Sequence, residues 1–264
     1  MAAWSGLIDG VPASRVMAHT VASAIAAARL GDLDRRTLMA VGLPGSDAAE
    51  ILRSGFDEVA GDLDPGLAIV LRAAIDDAGW PVGEPLPFVV ALSEQPRAGV
   101  TCPGRPRLML QPAETHAEHC LLVAVYGVIA APMFAAEPVA VFLAGIGHHL
   151  HNAVMPDSGF TGEMLLGDRL DGVVEFCRNM ALGQLSPDLA AVMRAALTPI
   201  VGDCTPEARA FHAADVLDRV IEIEQHLKVS ATTMTDVLDA YGLVHAGPVK
   251  AFHDRVLRGV GLAG

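Results

Sequence analysis

Histidines crowd into two short stretches of an otherwise apolar chain. In ETHAEHC, residues 114–120, two histidines are three positions apart, and in GHHLHN, residues 147–152, three fall within four positions. The five are His116, His119, His148, His149 and His151, half of the ten histidines in the chain. Neutral imidazoles grouped near carboxylates suit transition metals. The clustering therefore indicates a metal site, provided that the fold brings the two stretches together.

The elements between the two stretches predict that they meet. Residues 112–131 and 137–150 have the pattern of two helices joined by a short, proline-bearing turn. A short connection favours antiparallel packing, so the start of the first helix should lie beside the end of the second. His116 and His119 share a face of the first helix, because they are i and i+3. His119 and the pair that closes the second helix should therefore form one cluster.

The segment from 121 to 147 is apolar enough to resemble a membrane span. It is interrupted by Pro132, Glu137 and Pro138, and its uninterrupted part, 121–136, is shorter than the ~20 residues that a span needs. Two buried helices fit this pattern better. We therefore expect no membrane partner.

The composition is helix-prone and acidic. Apolar residues make up 52% of the 264 residues, charged residues 19% and aromatic residues 5%, and the net charge is −13. An acidic surface argues against a groove for a nucleic-acid polymer, but a local basic spot could still bind a small anionic substrate. The four cysteines form no CxxC pair, so we expect free thiols in a reducing compartment. No signal-peptide pattern opens the chain, and we expect a cytoplasmic protein.

Helical patterns dominate the rest of the chain. Helices are predicted over 13–30 and 63–79, after the caps Ser186-Pro187 and Thr205-Pro206, and in a short C-terminal segment, 248–260. Residues 81–107 are the least regular part and contain one candidate strand, FVVAL, 88–92. We expect an all-α helical array with an N-terminal helical region, 1–104, and a main helical core with C-terminal helices, 105–264.

Three motifs resemble those of a known family. PAETHAEHC, 112–120, resembles the PESVAEHS entry motif of HD-superfamily phosphohydrolases, especially their compact 5′-deoxynucleotidase-like branch. FLAGIGHHLHN, 142–152, resembles the ALLHDxxE segment of that branch, and FHAADVLDRVIEIEQHL, 211–227, resembles its late KAADxLxAxxxxxE helix. The resemblance covers roughly residues 105–228. It implies an HD-domain-like helical array.

The resemblance also implies roles for single residues. His119 would be the first metal ligand, His148 the second and Asp215 the last, while His149 stands where the family has a metal-binding aspartate. A histidine in that position exchanges an anionic oxygen for a neutral nitrogen, which favours iron, manganese, cobalt or zinc over magnesium. Asn152 stands where the branch has a glutamate that assists hydrolysis, and an asparagine cannot transfer a proton.

Other polar residues could complete a site. Candidates for the general base are Asp157, Glu163 and His151, although a turn aspartate and a helix-start glutamate are ordinary structural features. Glu118 could orient an imidazole or face solvent. Further candidate ligands or anion contacts are His116, Asn152, His212, Arg105 and Arg107, where ordinary loop charge or a partly buried helix position are the plain alternatives. His226, His245 and His253 receive no role.

Three functions follow from these residues. The first is a metal-dependent hydrolase acting on a small phosphorylated molecule, in which the metal makes hydroxide available near neutral pH. The second is an HD-type iron oxygenase, and the third is a degenerate HD domain that serves as a non-catalytic binding or regulatory module. The metal content of the protein distinguishes the enzymes from the module. A homodimer is compatible with each of them.

Overall fold

The described part of the chain is predominantly helical. A computed structural model describes residues 1–228, 233–244 and 247–262. Within these residues it contains thirteen α-helices and no strand, only two isolated β-bridges, so the all-α prediction is confirmed. The chain divides into two compact units, 1–85 and 86–264. The expected boundary between residues 104 and 105 falls inside the second unit.

The first unit is a small helical bundle. Its helices are α1 (Ala2–Ile8), α2 (Ala13–Leu30), α3 (Arg35–Ala40), α4 (Gly45–Val59) and α5 (Pro65–Ala74). Helix α2 has the bounds predicted from sequence and packs against α4 and α5. Helix α5 is shorter than predicted. It begins after Asp64, whose side chain accepts the N–H of Leu67. It ends at Ala74, and further along the chain Gly79 adopts a positive φ of 78°.

The second unit carries the histidine stretches. Its helices are α6 (Pro87–Glu94), α7 (His116–Phe134), α8 (Pro138–Gly147), α9 (Gly159–Leu166), α10 (Leu170–Leu182), α11 (Pro187–Leu197), α12 (Pro206–Leu227) and α13 (Lys250–Gly259). Helix α7 packs against both α8 and α12. Part of the core between these three helices is formed by Val123, Ala144, Phe211 and Ala214.

The strand prediction for residues 88–92 was wrong, because this segment lies in α6. Pro87 occupies the first helical turn, where its missing N–H costs nothing. Phe88, Val89 and Leu92 are buried together, as positions i, i+1 and i+4 of a helix are. A run of five apolar residues does not by itself distinguish a buried strand from a buried helix turn.

Helix α7 begins later than the sequence predicted. A capping box sets its start, since Thr115 Oγ1 accepts the N–H of Glu118 while Glu118 Oε2 accepts the N–H of Thr115. Glu118 is thus a capping residue. The helix continues through Pro132 to Phe134 and ends at Ala135, which has a φ of 54°.

Helices α7 and α8 form the predicted antiparallel pair. His119, in the first turn of α7, and His148, directly after α8, have their Nε2 atoms 3.1 Å apart. Glycine allows the two backbones to approach: a Cβ built on Gly145 would lie 2.5 Å from the Cα of Ala124. The prediction that the two histidine stretches meet is confirmed.

Helix α7 is the one helix in the described part of the chain that is long and apolar enough to cross a membrane, judged by length and composition. It is packed against α8 and α12 in the second unit. Its first turn holds the polar residues His116, Glu118 and His119. The apolar character of α7 therefore has an explanation within the core.

Candidate metal centre

Three ligand atoms from three helical segments converge on one point. His119 Nε2 lies 3.1 Å from His148 Nε2 and 3.2 Å from Asp215 Oδ1, and His148 Nε2 lies 3.8 Å from the same oxygen. Atoms bound about 2.1 Å from one metal lie roughly 3.0–3.6 Å apart at octahedral and tetrahedral angles. The first two separations fall in this range and the third is slightly wider. The triangle therefore has the dimensions of a metal site.

The neighbours of His148 select the ligating tautomer. His148 Nδ1 lies 2.7 Å from the carbonyl oxygen of Gly145, one turn earlier in α8. A carbonyl only accepts hydrogen bonds, so Nδ1 carries the proton and Nε2 keeps its lone pair. The end of α8 thus both places the ring and prepares its ligating atom.

His119 has two close partners on its other nitrogen. Its Nδ1 is 2.6 Å from Asp218 Oδ2 and 3.0 Å from Arg97 Nη1. A guanidinium only donates and an ionised carboxylate only accepts, so with Asp218 ionised the two contacts require different tautomers. For ionised Asp218 we assign the proton to Nδ1, because Asp218 is nearer and because Arg97 Nη1 already donates to Glu114 Oε2 at 2.9 Å. This tautomer directs the Nε2 lone pair at the other ligand atoms.

The third imidazole, that of His149, is oriented by Asn152. His149 Nδ1 lies 2.7 Å from Asn152 Oδ1, and Asn152 Nδ2 donates to the carbonyl oxygen of Met155 at 3.2 Å. The second bond fixes the amide, so Oδ1 accepts from His149 and leaves the Nε2 of that ring without a proton. Ligand atoms of His149, His119 and His148 all lie within 4.8 Å of one another. Asn152 therefore positions a candidate ligand.

The ring of His149 lies next to each of the other four imidazoles of the cluster. Its ring centroid lies 4.2 Å from that of His148, 4.8 Å from His116, 5.0 Å from His119 and 5.5 Å from His151. All five histidines of the two stretches thus form one group. The sequence prediction of a single spatial cluster is confirmed.

The electrostatics favour neutral imidazoles beside a charged carboxylate. Burial lowers the pKa of His148. Burial and the guanidinium of Arg97 hold the pKa of His119 well below the ordinary value, and burial and the neighbouring imidazoles do the same for His149. Burial alone would raise the pKa of Asp215, but its neighbours His119, His148 and Arg97 together hold it far below its usual range. Neutral imidazole and ionised carboxylate are the forms that bind metals.

A buried ionic network stands behind His119. Arg97, 8% exposed, lies 2.9 Å from Glu114 Oε2 and 3.7 Å from Glu222 Oε2. Burial raises the pKa of Asp218 to about 8, with the carboxylate of Glu114 acting in the same direction and Arg97 opposing. Glu114, His119 Nδ1 and Asp218 could geometrically hold a cation. The guanidinium of Arg97 already contacts these atoms. We therefore assign the positive charge at this second position to Arg97 and not to a metal ion.

Sequence reasoning missed the residues of this network. Arg97 lies in the segment that seemed least regular, and no local pattern marks it. Asp218 and Glu222 had a signal, because with Asp215 they form an i, i+3, i+7 series of carboxylates along α12. That face is the one directed at α7.

The three candidates for the general base have different surroundings. Asp157 accepts the N–H of Ala98 at Oδ2 and the N–H of Gly159 at Oδ1, and these bonds lower its pKa although burial opposes them. Burial raises the pKa of Glu163, on α9, and the charge of Asp157 raises it further. His151 has a buried Nδ1 with no hydrogen-bond partner in the described chain, and burial lowers its pKa to about 4.

His116 is fully buried, and neither of its ring nitrogens has a hydrogen-bond partner among the described residues. Its Nε2 lies 3.8 Å from Asp157 Oδ2. Burial lowers its pKa to about 4, so the ring is neutral at pH 7. An imidazole that lies beside His149 without a hydrogen-bond partner among the described residues has a polar atom available for a ligand.

The remaining candidates make contacts of their own. His212 Nε2 donates to the carbonyl oxygen of Ile200 at 2.9 Å, and His226 Nδ1 donates to that of Glu222 at 2.8 Å. Arg107 is exposed and donates to Ala98 O at 2.5 Å. Arg105 stacks over the ring of Tyr241 at 5.4 Å. The ring of His253 lies 5.3 Å from that of His212. His245 lies outside the described residues. None of the described side chains among these joins the imidazole cluster.

The fold and the cluster define an all-α protein with a buried histidine–carboxylate centre. No protein-family model, no curated protein sequence and no solved structure matches the chain.

Proposed function

We propose that the protein is a metal-dependent hydrolase of a small phosphorylated molecule, built on an HD-domain-like fold. The proposed ligands are His119, His148, His149 and Asp215. One observation carries the proposal: Nε2 of His119, Nε2 of His148 and Oδ1 of Asp215 lie 3.1–3.8 Å apart. The resemblance of the same residues to HD-superfamily motifs supports the same ligand set.

The donor set favours a transition metal. Three imidazoles and one carboxylate suit iron, manganese, cobalt or zinc better than magnesium, which prefers oxygen ligands. Such a metal lowers the pKa of bound water, so that hydroxide is available near neutral pH. The chain's own contribution is to hold the imidazoles neutral and in the ligating tautomer.

Glu163 is the strongest of the three candidates for the general base. The two oxygens of Asp157 are engaged by main-chain N–H groups, which lower its basicity. Glu163 is half-buried, and burial together with the charge of Asp157 raises its pKa toward the range useful for proton transfer. Replacing Glu163 with glutamine should lower kcat while leaving the metal content unchanged.

Metal content tests the centre directly. Protein purified without a histidine tag should contain about one equivalent of transition metal by elemental analysis. His148→Ala should abolish binding, while the control His226→Ala should retain it, since His226 lies about 16 Å along α12 from Asp215. An unchanged metal content in His148→Ala would remove that ligand from the assignment.

Activity distinguishes the remaining functions. Metal-loaded protein that releases phosphate from small phosphomonoesters supports the hydrolase. The nitrogen-rich donor set favours one alternative, an iron oxygenase, which requires bound iron that consumes O₂ and inertness toward phosphoesters. Protein without metal, and without thermal stabilisation by added metal, points to a non-catalytic binding or regulatory module.

A further inference from the structure

Arg219 lies beside the candidate centre, and no described residue pairs with it. It is half-buried on α12, one turn after Asp215, and it makes no hydrogen bond or ion pair with another described residue. Burial lowers its pKa, and repulsion from Arg97 acts in the same direction. Partly desolvated arginines are normally paired with an anion. The missing partner therefore calls for an explanation.

The position of Arg219 on α12 places it at the open side of the centre. At about 100° per residue, Asp215, Asp218, Arg219 and Glu222 share an arc of roughly 100°. Asp218, 3% exposed, is on the buried side of Asp215 with His119. Arg219 is on the opposite side of Asp215, whose side chain is 31% exposed.

Nearby carboxylates do not neutralise Arg219. Asp215, Asp157, Glu222 and Glu163 interact with it electrostatically, but none of them comes within 4.0 Å of its guanidinium. Asp157 is held by two main-chain N–H groups, at 2.7 and 2.8 Å, and turning toward Arg219 would break them. The guanidinium thus stays available although acidic groups are close.

We propose that Arg219 binds the phosphoryl group of the substrate through its guanidinium, next to the metal position. This inference rests on the proposed function and names the residue that selects the substrate's anionic group. The planar guanidinium pairs with two oxygens of a tetrahedral phosphoryl group in a fixed geometry that an ammonium group does not provide. A terminal phosphoryl group has a third free oxygen for the metal side, whereas a carboxylate has only two oxygens. Arg219 and the metal position together therefore favour a phosphoryl group over a carboxylate.

Binding of inorganic phosphate to the full-length, tag-free protein tests this role by calorimetry. Arg219→Gln should weaken phosphate binding about tenfold or more, because it removes charge-assisted hydrogen bonds. The phosphate affinity of Arg219→Lys should lie between those of the wild type and Arg219→Gln, since lysine keeps the positive charge but loses the paired N–H donors of the guanidinium. The matched control is Arg209→Gln, an exposed arginine on the same helix whose Nε donates to Asp203 O, and it should bind phosphate like the wild type.

The titrations are run with manganese-loaded and with metal-free protein, and the metal content of each variant is measured first. Equal phosphate affinity in wild type and Arg219→Gln would overturn the proposal, and so would wild-type protein that binds no phosphate in either form. Wild-type protein without metal affinity would refute the proposed function. The metal-free titration would still show whether phosphate binding depends on Arg219.

Discussion

At the residue scale, single neighbours decide which nitrogen of each imidazole can bind a metal. Gly145 O selects the tautomer of His148, Asp218 that of His119 and Asn152 that of His149. None of these three is itself in the proposed ligand set. Such outer partners fix ring orientation and ligand basicity, and their loss typically costs 10–100-fold in metal affinity.

Asn152 provides the sharpest test of this idea. Asn152→Leu should weaken metal binding about 10–100-fold, because the Nδ1–H of His149 loses its acceptor. Asn152→Asp should retain binding, since an aspartate still accepts that hydrogen bond. Competition titration with a chelating dye measures both affinities. Equal affinity in Asn152→Leu and wild type would show that His149 is not held in place by this bond.

His116 is expected to cost stability in the metal-free protein. It is fully buried and its nitrogens lack partners within the described residues, so His116→Leu should raise the free energy of unfolding by about 1–3 kcal/mol. The matched variant His212→Leu removes a buried imidazole that donates to Ile200 O, and it should lower stability by about 1 kcal/mol. Urea unfolding measures both. A destabilised His116→Leu would mean that His116 is a well-packed structural residue.

At the element scale, the pairing of α7 with α8 positions two of the proposed nitrogen ligands. The capping box places His119 in the first turn of α7, and α8 ends one residue before His148. Glycines bring the helices together: a Cβ on Gly127 would lie 2.6 Å from Val141 Cγ1, and one on Gly145 would meet the backbone of Ala124. Helix α12 then supplies the carboxylate.

Gly145→Ala should separate the ligand pair. The new methyl group would lie 2.5 Å from the Cα of Ala124, a backbone atom that cannot move away by a side-chain rotation. We therefore expect the free energy of unfolding to fall by about 1–3 kcal/mol and metal binding to weaken. Gly172→Ala is the control, because Gly172 is an exposed helical glycine with open space around it. The free energy of unfolding of Gly172→Ala should rise by about 0.5–1 kcal/mol. Thermal unfolding and metal titration of both variants measure the difference, and wild-type behaviour of Gly145→Ala would refute close backbone packing here.

At the scale of the whole molecule, buried neutral histidines make stability depend on pH. The pKa of His116 and of His151 is about 4 in the folded protein, against an ordinary value of 6.5. Between these pH values the unfolded chain binds protons that the folded chain does not. The free energy of unfolding of the metal-free protein should therefore fall as the pH drops from 6.5 toward 4, by ~1.4 kcal/mol per pH unit for each histidine.

Urea unfolding across this pH range measures the slope. The double variant His116→Leu with His151→Leu should show a shallower slope than the wild type. A variant with three exposed aspartates, Asp9, Asp32 and Asp62, changed to asparagine alters the net charge of −13 and should leave the slope above pH 5 unchanged. An equal slope in the double variant would show that other groups cause the acid sensitivity.

The sequence by itself determined the helices and the proximity of the histidine stretches. Helical periodicity, proline and hydroxyl caps and the short connection between α7 and α8 are local signals, and they predicted α2, the α7–α8 pair and the start of α12. The failure at residues 88–92 has the same origin, because a five-residue apolar run carries too little period to separate helix from strand. Sequence motifs likewise mark His119, His148, His149 and Asp215 as candidate ligands.

Only the tertiary structure decided what surrounds those side chains. Arg97 comes from an irregular segment, and it reaches His119 because long-range packing brings Glu114 and Glu222 around its guanidinium. The role of Asn152 depends on the direction of one amide, and the availability of Arg219 depends on main-chain groups that hold Asp157. Hydrogen-bond direction, burial and pKa arise from residues far apart in the chain, so no local pattern encodes them.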